Sequence, residues 1–217
     1  MAYKAVLFDM DGTVLDTLDD LSNAVNAALR QFGMPERTRE EAAAFLGNGA
    51  ARLIHLSVPE GCPQDLEEQV LAWYKPWYED HCRILTRPYP GILPLMEHLR
   101  QRGVKLAVIS NKPDGPVKEL AASFFPGLLD SAVGESETVR RKPDPDSVLA
   151  AAAQMGLAPE DCVYVGDTEV DLATARNAGM DVIAVSWGFR SRAQLRAAGA
   201  ERIAATAEDL ERLIADH

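Results

Sequence analysis

Ala5-Val6-Leu7-Phe8-Asp9-Met10-Asp11-Gly12-Thr13 sets an apolar run directly against two acids. Four consecutive apolar residues ahead of a turn-forming glycine read as a short buried strand. Asp9 and Asp11, spaced i and i+2, project to the same side of the strand end. Two carboxylates placed there repel each other unless a cation sits between them, or unless one attacks a bound group while the other moves a proton. Gly12 lets the backbone come close to such a group. Taken alone, the pentapeptide also fits a solvated acidic turn after an edge strand.

Outward from this stretch, strand and helix patterns alternate, which predicts an α/β fold with a mostly parallel sheet. Leu18, Leu21, Val25, Ala28, Leu29 and Phe32 fall at helical spacing, with Gly33 as the stop. Thr38 and Glu41 form a capping-box pattern. Ile92, Leu95, Met96 and Leu99 line one helix face, closed by Gly103, ahead of a strand from Val104 to Ile109. Asp144 is placed to cap a helix with Pro145 at its first position, running to Gly156. Strands follow at Cys162 to Val165 and Asp181 to Val185, with a helix ending near Gly179 between them. Residues 16–87 hold no convincing strand and end in the turn-rich Arg87-Pro88-Tyr89-Pro90-Gly91. The expected organisation is therefore a core of residues 1–15 and 88–217 carrying a helical insertion, 16–87, with hinges near Leu15 to Thr17 and Arg87 to Gly91.

Composition narrows the classes of function. The chain has 217 residues, 47% of them hydrophobic and 25% charged, enough for one large core or for a core with a smaller domain. A net charge of −11 counts against nucleic acid as a partner, because binding its backbone requires basic surface. No apolar run approaches a membrane span, and no signal-peptide pattern precedes the first strand. Cys62, Cys82 and Cys162 are widely spaced and show no CxxC pattern, so reduced thiols in a cytoplasmic protein are expected. Monomer and homodimer both remain open.

Three further clusters sit where strands end, the edge at which open α/β sheets bind ligands. Ser110-Asn111-Lys112 offers a hydroxyl and an amide to an oxyanion, or forms a polar turn. Arg140-Arg141-Lys142-Pro143-Asp144-Pro145 is a basic run in an acidic protein, in which two prolines frame Lys142. Arg140 and Arg141 read as solvated. In Val165-Gly166-Asp167-Thr168-Glu169-Val170-Asp171, Asp167 falls at a strand end and Asp171 in the first turn of a helix, where a carboxylate is favoured anyway.

These clusters, in this order, resemble the four motifs of the haloacid dehalogenase superfamily, and within it the phosphoglycolate-phosphatase-like enzymes with a helical cap. The resemblance covers essentially the whole chain. It implies a Rossmann-like core with a cap inserted after the first motif, and a magnesium-dependent phosphatase acting on a small phosphorylated metabolite. By the same resemblance Asp9 is the nucleophile that becomes an aspartyl-phosphate, and Asp11 the general acid and base. Magnesium is implied at the Asp9 carboxylate, the Asp11 backbone carbonyl and Asp167. Lys142 and Ser110 are expected on the phosphoryl oxygens, helped by Gly12, Thr13 and Asn111, with Asp171 orienting Lys142 or a metal-bound water.

Relatives also exclude some chemistries. Dehalogenases of this superfamily lack the second aspartate, which Asp11 supplies here. Phosphonate-cleaving relatives use a cap lysine, and the insertion contains only Lys75, which reads as a surface or packing residue. Gly47, Asn48, Gly49 and Arg52 resemble the cap loop of phosphoglycolate phosphatases, and Arg52 is a candidate for a substrate carboxylate. The favoured substrate is 2-phosphoglycolate. A sugar-phosphate phosphatase, a phosphosugar mutase and a pyrophosphatase of the same superfamily remain alternatives, as does a non-catalytic ligand binder. His55 reads as a surface or core residue, and Trp73, Tyr74, Trp77 and Tyr78 as packing of the insertion. Ser186-Trp187-Gly188-Phe189-Arg190 follows a strand and reads as a structural loop, with a border on the cap interface as the alternative.

Overall fold

The computed structural model describes residues 3–216. The chain divides into two compact units, Met1–Leu15 with Pro88–His217, and Asp16–Arg87. In chain order the elements are β1 (Ala5–Asp9), β2 (Leu15–Asp16), α1 (Leu18–Gln31), α2 (Arg39–Phe45), α3 (Gly49–Ser57), α4 (Gln64–His81) and β3 (Arg87–Pro88). They continue as α5 (Ile92–Gln101), β4 (Lys105–Pro113), α6 (Asp114–Phe124), β5 (Ser131–Glu135) and α7 (Asp146–Gln154). The last are β6 (Cys162–Gly166), α8 (Glu169–Ala178), β7 (Asp181–Val185), α9 (Arg192–Ala197), β8 (Ile203–Ala204) and α10 (Ala207–Ala215).

The larger unit is built on a six-stranded parallel sheet in the order β5-β4-β1-β6-β7-β8. β1 lies in the interior of that order, and Ala5, Val6, Leu7 and Phe8 are wholly buried, which is why the strand reads as an unbroken apolar run. Asp9 pairs in register with Ile109, and Phe8 with Val165, so the carboxyl ends of β1, β4 and β6 lie side by side. Val6, Leu7 and Phe8, buried on this scale, each contribute about 1.5–3 kcal/mol. Beneath the sheet edge, Leu7, Ile109, Val148, Ala151, Ala152 and Tyr164 belong to one cluster that seats α7.

β4 runs past the predicted strand end. Its regular pairing with β5 holds through Ile109, shifts, and resumes at Pro113. Ser110, Asn111 and Lys112 therefore lie in an irregular stretch of strand, and all three are buried. α7 begins one residue later than the sequence predicts: Pro145 is the cap and Asp144 Oδ1 accepts the Asp146 N–H at 3.2 Å. The Lys142–Pro143 peptide bond is cis.

The smaller unit is helical. Thr38 and Glu41 make both hydrogen bonds of the capping box that opens α2. Along α4, Tyr74 and Tyr78 are buried and stacked, centroids 5.7 Å apart. Trp73 and Trp77 are only half-buried, and His81 stacks on Trp77 at 3.8 Å, so half of the predicted aromatic packing sits at the surface of this unit. Lys75 is exposed, and the exposed His55 pairs with Glu67 at 3.0 Å. Asp20 of α1 closes the unit on itself: its carboxylate accepts the Leu85 N–H at 3.0 Å, the Thr86 N–H at 2.9 Å and the Thr86 hydroxyl at 2.8 Å.

Candidate active site

The carboxyl edge of the sheet gathers acids from β1 and from the segment after β6, and a lysine from the loop before α7. Lys142 Nζ donates to Asp9 Oδ1 at 2.6 Å, to Asp171 Oδ1 at 2.8 Å and to the Tyr164 hydroxyl at 2.9 Å. All four side chains are buried. Burial works to lower the Lys142 pKa, but the charges of Asp171 and Asp9 outweigh it and hold the ammonium well above its ordinary range. Asp171 serves two ends. Its Oδ2 accepts the Thr168 N–H at 3.0 Å and the Thr168 hydroxyl at 2.7 Å, capping α8, while Oδ1 orients the lysine.

Asp167 is wholly buried directly after β6. Thr13 Oγ1 donates to its Oδ1 at 3.1 Å, and the Phe189 N–H to its Oδ2 at 2.6 Å. Gly12 and Gly188 press on the same carboxylate from two sides. A Cβ at Gly188 would overlap both Asp167 Oδ2 and the Gly12 carbonyl, and one at Gly12, where φ is +83°, would overlap the Asp167 carboxylate. The 186–190 loop is thus a wall of this site: Phe189 fixes Asp167, and Trp187 Nε1 donates to the Thr13 carbonyl at 3.0 Å. Nothing in the sequence marks Gly188 apart from its place shortly after an apolar strand.

Asp11 faces elsewhere. Lys112 Nζ lies 2.7 Å from its Oδ1, and Ser110 Oγ donates to its Oδ2 at 3.3 Å. Besides Ser110, three more groups that the sequence points at a phosphate are engaged within the protein. The Thr13 hydroxyl is on Asp167, and the Gly12 N–H donates to the Leu15 carbonyl at 2.9 Å. The Asn111 amide clasps the backbone of Lys142, donating to its carbonyl at 3.1 Å and accepting its N–H at 2.7 Å. Each lies where the chain turns, and a turn uses its polar groups to fix its own geometry. Arg140, exposed, pairs with Asp144 and Asp146 at 2.7 Å each. In the helical unit, Asn48 caps α3, Gly47 and Gly49 flank it, and Arg52 is exposed on the first turn of that helix.

A family model for haloacid dehalogenase-like hydrolases matches residues 6–185. The chain belongs to that family. It is 32% identical over 192 residues to phosphoglycolate phosphatase 1 of Pseudomonas aeruginosa, covering 86% of this chain and 70% of that one. It is 36% identical over 191 residues to a phosphoglycolate phosphatase of Cereibacter sphaeroides, covering 85% and 86%. A crystal structure from Lactobacillus delbrueckii, provisionally named a phosphoglycolate phosphatase, matches with TM-score 0.95 and 44% identity over 99% of both chains. These likenesses place the protein among the phosphatases of the haloacid dehalogenase-like family, hydrolases of phosphoric monoesters.

In this hydrolase, Asp9, Asp167 and Asp171 bring carboxylate oxygens within 4.8 Å of one another. Burial first, then the charge of Asp171, pushes the Asp9 carboxyl up to about 7 despite Lys142. Burial, Asp9 and Asp171 raise Asp167 well above the carboxylate range. Three buried carboxylates around one ammonium leave an excess of negative charge, which suits an oxygen-ligated divalent cation. Each of the three could offer one oxygen to such an ion; Asp171 is the one of them that also anchors Lys142 and caps α8. Among the described residues, no helix is long and apolar enough to cross a membrane.

Proposed function

We propose that this protein is a magnesium-dependent phosphatase whose substrate is 2-phosphoglycolate, turned over through an aspartyl-phosphate on Asp9. One observation carries the reading: Asp9 and Asp167, buried and crowded, share the sheet edge with Lys142, which reaches Asp9 at 2.6 Å. A site that only held the fold together would gain nothing from burying carboxylates whose ionisation it opposes.

Asp9 attacks phosphorus in line, and the bond to the leaving oxygen breaks as the bond from the carboxylate forms. Asp11, turned away from the acidic cluster, protonates the leaving oxygen and then takes a proton from the water that hydrolyses the aspartyl-phosphate. Lys142 holds phosphoryl oxygens, aimed by Asp171 and Tyr164 and with its loop fastened by Asn111, and Ser110 turns its hydroxyl from Asp11 onto another of those oxygens when substrate binds. Thr13, Gly12 and Gly188 shape the pocket in which Asp167 sits. Asp9, Asp167 and the Asp11 carbonyl would hold Mg2+, which when bound offsets the repulsion between an anionic nucleophile and an anionic substrate.

In this reading residues 1–15 and 88–217 form the catalytic core and 16–87 a cap. The cap supplies the substrate-end residues, Gly47, Asn48, Gly49 and Arg52. The named relatives favour 2-phosphoglycolate over the sugar phosphates. The three cysteines are free, consistent with a cytoplasmic setting. A panel of phosphorylated metabolites assayed with Mg2+ and ranked by kcat/KM tests the assignment. The expected result is 2-phosphoglycolate at the top, by tenfold or more over sugar phosphates. A flat ranking, or a sugar phosphate in first place, overturns it.

A further inference from the structure

Lys112 has no part in the chemistry described so far, yet it is built into the site. Its side chain is 8% exposed, and Nζ lies 2.7 Å from Asp11 Oδ1. Ser110 Oγ donates to the other Asp11 oxygen at 3.3 Å, and the Lys112 N–H donates to Ser110 Oγ at 3.2 Å. Two residues of the irregular end of β4, spaced i and i+2, therefore grip both oxygens of the carboxylate. The lysine's own backbone is braced from β5. Gly134 lies so close to the Lys112 carbonyl and the Asp114 backbone that any side chain there would overlap them, and its N–H donates to Asp114 Oδ1 at 3.1 Å.

We propose that Lys112 is the positioning residue for Asp11: its ammonium holds that carboxyl group facing the leaving oxygen of the substrate. The inference rests on the proposed role of Asp11 as acid and base. In the first displacement an Asp9 oxygen bonds to phosphorus, the phosphorus–oxygen bond to the leaving group breaks, and the proton of Asp11 passes to the leaving oxygen. In the second, water bonds to phosphorus, its proton passes to Asp11, and the bond from phosphorus to Asp9 breaks. Both proton transfers require an approach of about 2.6–3.2 Å between heavy atoms. Asp11 sits on a turn, 16% exposed, beside an acid that repels it. A carboxyl group left loose there would spend little of its time in reach. Anchoring it to a lysine on a braced strand removes that loss without placing the lysine on the substrate.

The test uses the dependence on leaving group. kcat/KM reports the first displacement, in which an alkoxide needs protonation and p-nitrophenoxide needs far less. Lys112→Met keeps the length of the side chain and removes its charge, and Lys112→Arg restores a cation. Lys112→Gln serves if the Met variant does not fold, as judged by thermal melting. The ratio of kcat/KM for ethyl phosphate to that for p-nitrophenyl phosphate is expected to fall at least tenfold in Lys112→Met. The corresponding ratio for 2-phosphoglycolate falls by a similar factor, and Lys112→Arg recovers most of both. An equal loss on all three substrates would make the lysine merely structural and overturn the proposal. So would a loss confined to 2-phosphoglycolate, which would place the ammonium on the substrate carboxylate. Asp11→Asn separates the two levels of inference. If it leaves the ratio unmoved, the acid role falls and the proposal with it. If it depresses the ratio and Lys112→Met does not, only the assignment of Lys112 falls.

Discussion

At Asp9 one carboxyl group is buried beside two other acids and still must ionise to act as a nucleophile. Its pKa, pushed up to about 7 chiefly by burial, measures the strain. In an unfolded chain the group ionises near its ordinary value, so the native state binds the proton more tightly. The resulting penalty on folding appears above that ordinary value, grows as pH rises, and levels off above about 7. Asp9→Asn removes it. The variant is expected to lose turnover by roughly a thousandfold or more, since the nucleophile is gone. In metal-free buffer at pH 8 it is expected to be more stable than the parent by up to about 4 kcal/mol. That advantage shrinks at pH 5. Calorimetry with a chelator at the two pH values checks both sign and trend; an advantage that grew on acidification would contradict the cause assigned here. Gly188→Ala tests the opposite wall. Its methyl group collides with backbone and with Asp167, so Mg2+ activation is expected to weaken by at least tenfold, read from the metal concentration giving half-maximal rate.

On the scale of single elements, the clearest dependence lies in the smaller unit. Asp20 of α1, exposed on no helical-wheel argument and yet buried, takes two backbone N–H groups and a hydroxyl from Leu85 and Thr86. Asp20→Ala leaves those donors without their acceptor. It is expected to destabilise the protein by about 2–4 kcal/mol, seen as a lower midpoint in urea, and Asp20→Asn by less. β5 is among the strands that sequence reading passes over. Its Ser131-Ala132-Val133-Gly134-Glu135 lacks an apolar run because it sits at the sheet edge, and Gly134 is demanded by the backbone of β4 packed against it. β1 and β6, buried on both faces, declare themselves by composition. Thr38 and Glu41, and the glycine after α1, are equally legible because capping is a local event that needs only neighbouring residues.

Across the whole molecule, burial sorts the three thiols. Cys62 is partly accessible, Cys82 is buried, and burial pushes Cys162 up to about 11. Iodoacetamide at pH 8 is expected to label Cys62 alone in the native protein and all three cysteines in guanidinium, counted by mass. Native labelling of Cys162 would mean that β6, and with it the seat of Asp167, opens readily. The acids Asp9, Asp11 and Asp167 could be picked out from residue type and position at strand ends, because strand patterns are written in composition and parallel sheets bind ligands at one edge; Lys142 stood out by the prolines that frame it. Which polar group meets which could not. Thr13 on Asp167, Asn111 on the Lys142 backbone, Lys112 on Asp11 and Phe189 above Asp167 join segments as far as 154 residues apart, as from Thr13 to Asp167. Composition alone located β1, β6 and β7 and the chemical groups that follow them, since local periodicity and turn chemistry act over a few residues. The partners came into view with the fold, because hydrogen bonds and ion pairs depend on ångström distances that are set when the sheet assembles and its loops pack together.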